Sequence, residues 1–242
     1  MPGFATYNDD DLNGVIFGVL SIGSGNRSKP LAEYTDTQTT YDYDGIFNIY
    51  DKDVASSNLY DIKNVNNVKS YSYTVTTKDV TLNSNTVASA SKLMPLTDDN
   101  RFSLSAIIAP YGSTSGWYYK FKSNKVQSEK VTATPIVINN DLFVTTFDGS
   151  KPGLAGDCGA GVKGESFMTL FCMPYGQCNG GSATTYRLNL GAGIVGGAVG
   201  SGDPSGLQRL IVANRNNSNS VILDKKYSVL QRLTPQRWYE KN

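Results

Sequence analysis

Histidine is absent from this 242-residue chain, and its absence removes several classes of chemistry. A Ser-His-Asp triad, a Cys-His dyad, a His-Glu-x-x-His zinc site and a two-histidine iron site all require an imidazole from the chain or from a partner. Enzymatic hypotheses are thereby reduced to carboxylates, lysine and tyrosine. No sequence rule pairs the carboxylates across strands at the separation that a glycosidase needs. We therefore expect a protein that is not an enzyme.

Charge is also scarce, and neither sign dominates. Charged residues make up 18% of the chain, and 22 Lys and Arg against 21 Asp and Glu leave a net charge of +1. A nucleic-acid-binding or anionic-membrane-binding protein usually carries a basic patch that raises its net charge. We therefore expect no nucleic-acid partner. No apolar segment is long enough to span a bilayer, so we expect no transmembrane segment.

Helical apolar spacing is missing from every window longer than a few residues, whereas strand-forming residues are abundant. The chain holds 15 Tyr and 9 Phe together with many Val, Thr and Ser, a composition that favours strands and polar loops. All-β folds of this length are commonly one unit. We predict a single all-β domain over 1–242, with a polar Ser-, Thr- and Asn-rich insertion over 55–100 that forms an exposed hairpin or an ordered insertion.

Residues 132–164 give the clearest strand pattern. The apolar runs 136–138 and 142–144 are separated by Asn139, Asn140 and Asp141, residue types that tolerate the left-handed backbone of a hairpin turn. The glycine-rich run that follows is predicted to make turns leading to another strand at 166–173. Short strands separated by turns along the whole chain fit a propeller or a sandwich of antiparallel sheets.

The three cysteines, Cys158, Cys172 and Cys178, lie in one window. Pro174 and Gly176 are turn formers between the last two thiols, so a local disulfide between Cys172 and Cys178 is predicted. Cys158 is an alternative partner, because an odd count does not fix the connectivity. Three thiolates without a histidine leave a tetrahedral zinc site one ligand short, and we predict no metal site.

The N-terminus does not resemble a secretion signal. Residues 1–11 are polar, and the apolar run Val15 to Ile22 lacks a basic leader and a cleavage site of small residues. Since disulfides form in exported proteins, we expect this chain to be a piece of a longer exported protein whose missing N-terminal part carries the export signal.

Several short motifs occur in a fixed order outside 55–100: SGNRSKPL, FNIYDKD, GWYYKF, TATPIVINNDLFVTTF, DCGAGVKGES, AGIVGG and the aromatic close QRWYE. Their order and spacing resemble the C-terminal region of the PilC/PilY family of type IV pilus tip and assembly proteins. The resemblance implies a modified β-propeller, or a set of its C-terminal blades, on the cell surface or at the pilus tip. It further implies roles in pilus biogenesis, opposition to retraction, adhesion and twitching motility. The implied partners are minor pilins or pilus tip subunits, and possible host-cell surfaces.

Two features of this chain depart from the family pattern. The family's calcium loop is expected upstream of the SGNR strand, outside this chain, so no cofactor is predicted here. Asp9, Asp11 and Asn13 with Gly14 match the opening of a calcium loop, but Phe17 stands at the ninth position and Leu20 at the twelfth, where ligands are needed. We predict a polar hairpin turn. The N-terminal half, which is often the adhesive portion in the family, is absent.

Two further signals have simpler interpretations. Gly191, Gly193 and Gly196 spell G-x-G-x-x-G, but the following GAVGSGDPSG does not indicate the helix that a dinucleotide site requires. Trp117 and Trp238 could stack on a sugar ring, yet packing in the core is the more common role of such aromatics. The alternatives to a pilus factor are an exported lectin-like module and a quinoprotein-type propeller enzyme, whose blades share a TPIV pattern followed by LFV.

Overall fold

A computed structural model describes residues 3–9, 15–35, 37, 40–51, 53, 60–65, 68–73, 80–84, 87–138, 140–154, 161–182, 186–201, 207–212 and 222–228. These residues form strands, turns and loops, and none of them is helical. The all-β prediction is confirmed. The strands are β1 (Gly3–Asp9), β2 (Val15–Gly23), β3 (Gly45–Asp51), β4 (Tyr60–Val65), β5 (Val68–Tyr73), β6 (Thr81–Leu82), β7 (Lys92–Leu96), β8 (Gly116–Lys120), β9 (Glu129–Val131), β10 (Ile136–Ile138), β11 (Asp141–Asp148), β12 (Glu165–Cys172), β13 (Arg187–Ala192), β14 (Gly197–Ser201), β15 (Leu207–Val212) and β16 (Ile222–Ser228).

The largest sheet has six strands in the order β1-β2-β3-β8-β7-β6. Its first four strands pair antiparallel. The last two pairs, β8 with β7 and β7 with β6, are parallel. The expected antiparallel pairing therefore holds for most of this sheet, and the sheet as a whole is mixed.

The second sheet is built around β11, which pairs along its whole length with β12. On its other edge, β10 pairs with the start of β11 and β9 pairs with its end. The predicted hairpin is confirmed, because Ile138 pairs with Asp141 directly across the turn. β13 then pairs with β12, with an irregularity between Ser166 and Phe167.

Two smaller sheets complete the described strands. β14, β15 and β16 form an antiparallel three-stranded sheet, and β4 pairs antiparallel with β5. The segment 55–100, expected to be a polar insertion, thus contains a β4–β5 hairpin. It also contains β7, which lies between β6 and β8 in the six-stranded sheet.

The two large sheets share one hydrophobic core. Period-two alternation places Phe17 and Val19 of β2 on the same face as each other, and Leu142 and Val144 of β11 on one face of the second sheet. These side chains belong to a single buried cluster that also holds Ile46, Met94, Leu96, Ala109, Trp117, Phe121, Val131, Phe171 and Met173. The opposite face of the second sheet carries a separate cluster that includes Phe143, Met168 and Leu190. Among the described strands, these sheets are not closed into a ring.

Candidate functional site at the disulfide loop

The predicted Cys172–Cys178 pair lies at disulfide distance, and its two Cα atoms are 5.0 Å apart. We call residues 172–178 the cystine ring. β12 delivers Cys172 to the edge of the core, the Met173–Pro174 bond is cis, and Gly176 bridges back to Cys172. Cys158, the alternative partner, lies outside the described residues.

Trp117 packs directly against this ring. Its side chain is fully buried, and its Nε1 donates a hydrogen bond of 2.8 Å to the Pro174 carbonyl. Gly176 has a φ of +76°, and a Cβ atom there would lie 2.7 Å from the Trp117 ring and 2.4 Å from Leu96. Only glycine fits both this backbone conformation and this space. The core interpretation of Trp117 is confirmed, and Trp238 lies outside the described residues.

The ring holds the loop that follows β7, residues 97–110, which we call the hub loop. The contacts with this loop are made by the buried side chain of Gln177. Its Nε2 lies within hydrogen-bond distance of the carbonyls of Asn100 (3.2 Å), Ser103 (2.8 Å) and Ala106 (3.0 Å), and its Oε1 accepts from the Ile108 amide at 2.8 Å. One amide side chain thus contacts four backbone groups of an irregular segment, with its two N–H donors shared among the three carbonyls.

Arg101 anchors the same loop from inside the protein. Its guanidinium donates to the Leu170 carbonyl (2.9 Å) and to the Asp98 carboxylate (2.8 Å). It also lies 5.0 Å from the ring centroid of Phe171, which is a cation–π contact. The backbone completes the anchor, because the Cys178 amide donates to the Arg101 carbonyl at 2.7 Å.

The hub loop presents two apolar side chains to solvent on this rigid base. Leu104 is 48% exposed and Ile107 is 39% exposed, whereas the neighbouring Arg101 is buried. A loop pinned at four backbone positions displays these side chains in a defined arrangement, and defined display lowers the entropic cost of binding a partner.

A second loop is held in a comparable way near the SGNR motif. Lys130 of β9 is buried, and its ammonium donates to the carbonyls of Pro30 (3.2 Å), Ala32 (2.5 Å) and Gln127. Burial lowers the pKa of Lys130, and the carboxylates of Asp44, Asp148 and Glu33 oppose that shift. Two tyrosines stack near this loop: the ring centroids of Tyr34 and Tyr41 are 3.9 Å apart, and Tyr41 is 40% exposed while Tyr34 is partly buried.

Two buried carboxylates, Glu129 and Asp148, are partners across β9 and β11, a pairing that the sequence alone did not indicate. Glu129 accepts from Thr146 and forms a two-point ion pair with Arg187 at 2.9 Å. Burial raises the pKa of Asp148, but hydrogen bonds from Ser123 and Ser150 outweigh it and hold that pKa below its ordinary value. A glycosidase acid instead needs a raised pKa. Asp148 does not have this property. In the structure both carboxylates accept hydrogen bonds that join strands and loops.

Two sequence signals remain, the G-x-G-x-x-G run and the partial calcium-loop match. The G-x-G-x-x-G run lies at the end of β13 and is followed by strand β14, not by a helix, which agrees with the rejection of a dinucleotide site. Residues 10–14 of the weak calcium match lie outside the described residues, and the Phe17 side chain at its ninth position is fully buried in the core.

Sequence reasoning missed Gln177, Arg101 and Lys130. For Gln177, the only local signal in the sequence was its position next to a cysteine in a predicted turn. Nothing in the local pattern distinguished the other two from surface cations.

Within the described part of the chain, no group of three or more Cys, Asp or Glu side chains could hold a metal ion. No helix among the same residues has the length and apolarity needed to cross a membrane. Comparison of the chain with protein-family models, with curated proteins and with solved structures gave no match in any of the three searches.

Proposed function

We propose that this chain is the C-terminal propeller region, or a set of blades, of an exported PilC/PilY-type protein. In this proposal it is a non-enzymatic factor at the type IV pilus tip that supports pilus biogenesis, opposes retraction and contributes to adhesion and twitching motility. The observation that carries the proposal is the order of the motifs along the chain, from SGNRSKPL to QRWYE.

The strand positions support this order. The motif TATPIVINNDLFVTTF forms β10 and β11, GWYYKF forms β8, and GES opens β12. Parts of these three motifs thus coincide with strands, whereas SGNRSKPL lies in a loop with turns and QRWYE lies outside the described residues. A disulfide next to the core is also in keeping with export to an oxidising compartment.

A docking role fits the surfaces described above. The hub loop offers exposed Leu104 and Ile107 on a base fixed by Gln177. Isolated apolar side chains on a rigid loop act as anchors when a partner provides pockets for them. Minor pilins or tip subunits are the partners that this proposal assigns to such a surface.

The test is the number of surface pili, counted by electron microscopy in cells lacking this gene, with and without the retraction motor. We expect pili to disappear in the single deletion and to return when the motor is also removed. Complementation with the intact gene is the control. A pilus number that is the same in all strains would contradict the proposal.

A second candidate function, a glycan-binding module, has one observation in its favour. This is the Tyr34–Tyr41 stack, in which the Tyr41 side chain is exposed. Tyrosine rings present an apolar face with a polar tip, a combination suited to sugar rings. Trp117 does not serve this role, since it is fully buried. On a glycan array, binding that Tyr41→Ala abolishes and Tyr43→Ala preserves would support this candidate, and an array without hits would exclude it.

A further inference from the structure

The cystine ring and the hub loop are joined through two adjacent residues. Gln177 contacts the backbone of Asn100, Ser103, Ala106 and Ile108, and Cys178 donates its amide to Arg101. Gln177 and Cys178 thus connect the disulfide ring to the backbone of the hub loop.

We propose that the Cys172–Cys178 disulfide is a redox latch for the hub loop. When the ring is closed, Gln177 is held in place and Leu104 and Ile107 are displayed in a fixed arrangement. When the ring is opened, Gln177 loses its position and the hub loop becomes mobile while both large sheets stay folded. This inference concerns the regulation of a surface and does not depend on the pilus proposal.

The short sequence separation explains why the effect is local. The two cysteines are six residues apart, and a disulfide that closes so small a ring restrains the unfolded chain less than one that closes a long loop. The strands of the shared core are paired with one another along their lengths and are not linked through this bond. Opening the ring thus removes restraints from residues 172–178 and from the hub-loop backbone that Gln177 contacts.

The chemistry is ordinary thiol–disulfide exchange with a dithiol reductant. Cys178 is only 2% exposed and Cys172 is partly exposed, so the reductant's thiolate attacks the Cys172 sulfur. That step forms a mixed disulfide and releases Cys178 as a thiolate, which takes up a proton. The second thiol of the reductant then attacks the mixed disulfide and releases Cys172. The protein gains two electrons and two protons, and the dithiol is oxidised to a cyclic disulfide.

The test is limited proteolysis with chymotrypsin, read by peptide mapping, on the oxidised chain and on the chain reduced with dithiothreitol and alkylated. We expect cleavage after Phe102 or Leu104 to become at least about tenfold faster on reduction, because cleavage rates follow the population of the open loop. The backbone amides of β11 and β12 are expected to stay protected from hydrogen exchange. Peptide mapping also confirms that Cys172 and Cys178 are the newly alkylated residues.

Two variants make the test specific. In oxidised Gln177→Met, a substitution of similar size, cleavage of the hub loop should already be fast, and reduction should add little. The double variant Cys172→Ser/Cys178→Ser should behave like the reduced protein without any reductant. Gln127→Met, a glutamine outside the ring and the loop, is the matched control and should behave like the unmodified chain.

Two results would overturn the proposal. One is an unchanged rate of hub-loop cleavage after verified reduction. The other is loss of exchange protection in β11 and β12 in parallel with loop cleavage, which would make the disulfide a staple for the whole fold.

Discussion

At the residue scale, two glycines with nearly the same backbone conformation have very different surroundings. Gly176 and Gly180 have φ values of +76° and +77°. A Cβ atom at Gly176 would meet Leu96 and Trp117 at less than 3 Å, whereas a Cβ atom at Gly180 would meet nothing within 4 Å. Alanine substitutions at these two glycines therefore separate the free-energy cost of backbone strain from the cost of steric overlap.

We expect Gly176→Ala to lower the free energy of unfolding more than Gly180→Ala does. The left-handed backbone costs roughly 1–2 kcal/mol in both variants, and overpacking adds about 1–3 kcal/mol at Gly176 alone. Urea denaturation of the two variants measures the difference. Equal losses would mean that the ring moves away from Trp117 without cost.

Asp148 should make stability depend on pH in the acid range. Hydrogen bonds from Ser123 and Ser150 outweigh burial and lower its pKa below the ordinary 3.8. A carboxyl group with a lowered pKa stabilises the folded state above its unfolded pKa, and that stabilisation is lost as the pH falls through the folded pKa. The unfolding free energy should therefore decline below about pH 4.

The variant Asp148→Asn should be less stable at neutral pH and should show a shallower decline in acid. Denaturant titrations between pH 7 and pH 2.5 measure both effects. Asp99→Asn, at an exposed position, is the control and should follow the parent curve. An Asp148→Asn curve parallel to the parent at every pH would show that this carboxylate does not contribute.

At the element scale, the ion pair between Glu129 and Arg187 ties β9 to β13 across the intervening strands β11 and β12. The Glu129 side chain is 3% exposed and that of Arg187 is 26% exposed. The pair between Glu33 and Lys125 is of similar length, at 2.8 Å against 2.9 Å, but is more exposed, at 24% and 46%. The two bridges differ in burial of the carboxylate and in geometry, since Arg187 makes two contacts and Lys125 makes one.

We expect Arg187→Met to destabilise the protein by about 3 kcal/mol, because it leaves a buried carboxylate without its charge partner. Lys125→Met should cost less than about 1 kcal/mol, as is usual for exposed pairs. A double-mutant cycle with Glu129→Gln isolates the coupling from the loss of Arg187 packing on Phe167. A coupling near zero would assign the effect to that packing.

At the same scale, the strands around the predicted hairpin were predictable from the sequence. Alternating or continuous β-branched and aromatic runs located β10, β11 and β12, because these residues fit a pleated, half-buried surface. β7 was not located, since its KLMPL sequence lies inside a polar tract and contains a proline. β1 is a largely polar strand, and β9 has only three residues. Apolar periodicity identifies neither kind of strand.

At the scale of the whole molecule, the two large sheets share one core, and we therefore expect them to unfold as a single unit. Val19 of β2 and Val144 of β11 are both fully buried in it. We expect Val19→Ala and Val144→Ala each to lower the protection of both sheets equally in native-state hydrogen exchange, by about 1–3 kcal/mol. Ile16→Thr, at a 53% exposed position of β2, should change it by less than about 0.5 kcal/mol. Protection lost in only one sheet would show that the sheets unfold independently.

The sequence by itself determined the all-β fold class, the absence of histidine chemistry, the β10–β11 hairpin with the strand after it, and a turn that brings Cys172 near Cys178. These properties depend on composition, on period-two alternation or on neighbours a few residues apart, and all three are visible locally. The tertiary structure decided which polar groups carry the architecture. Gln177 meets backbone 69 to 77 residues away, and Lys130 meets carbonyls about 100 residues away. Contacts of such separation arise only when sheets pack and bring distant segments together.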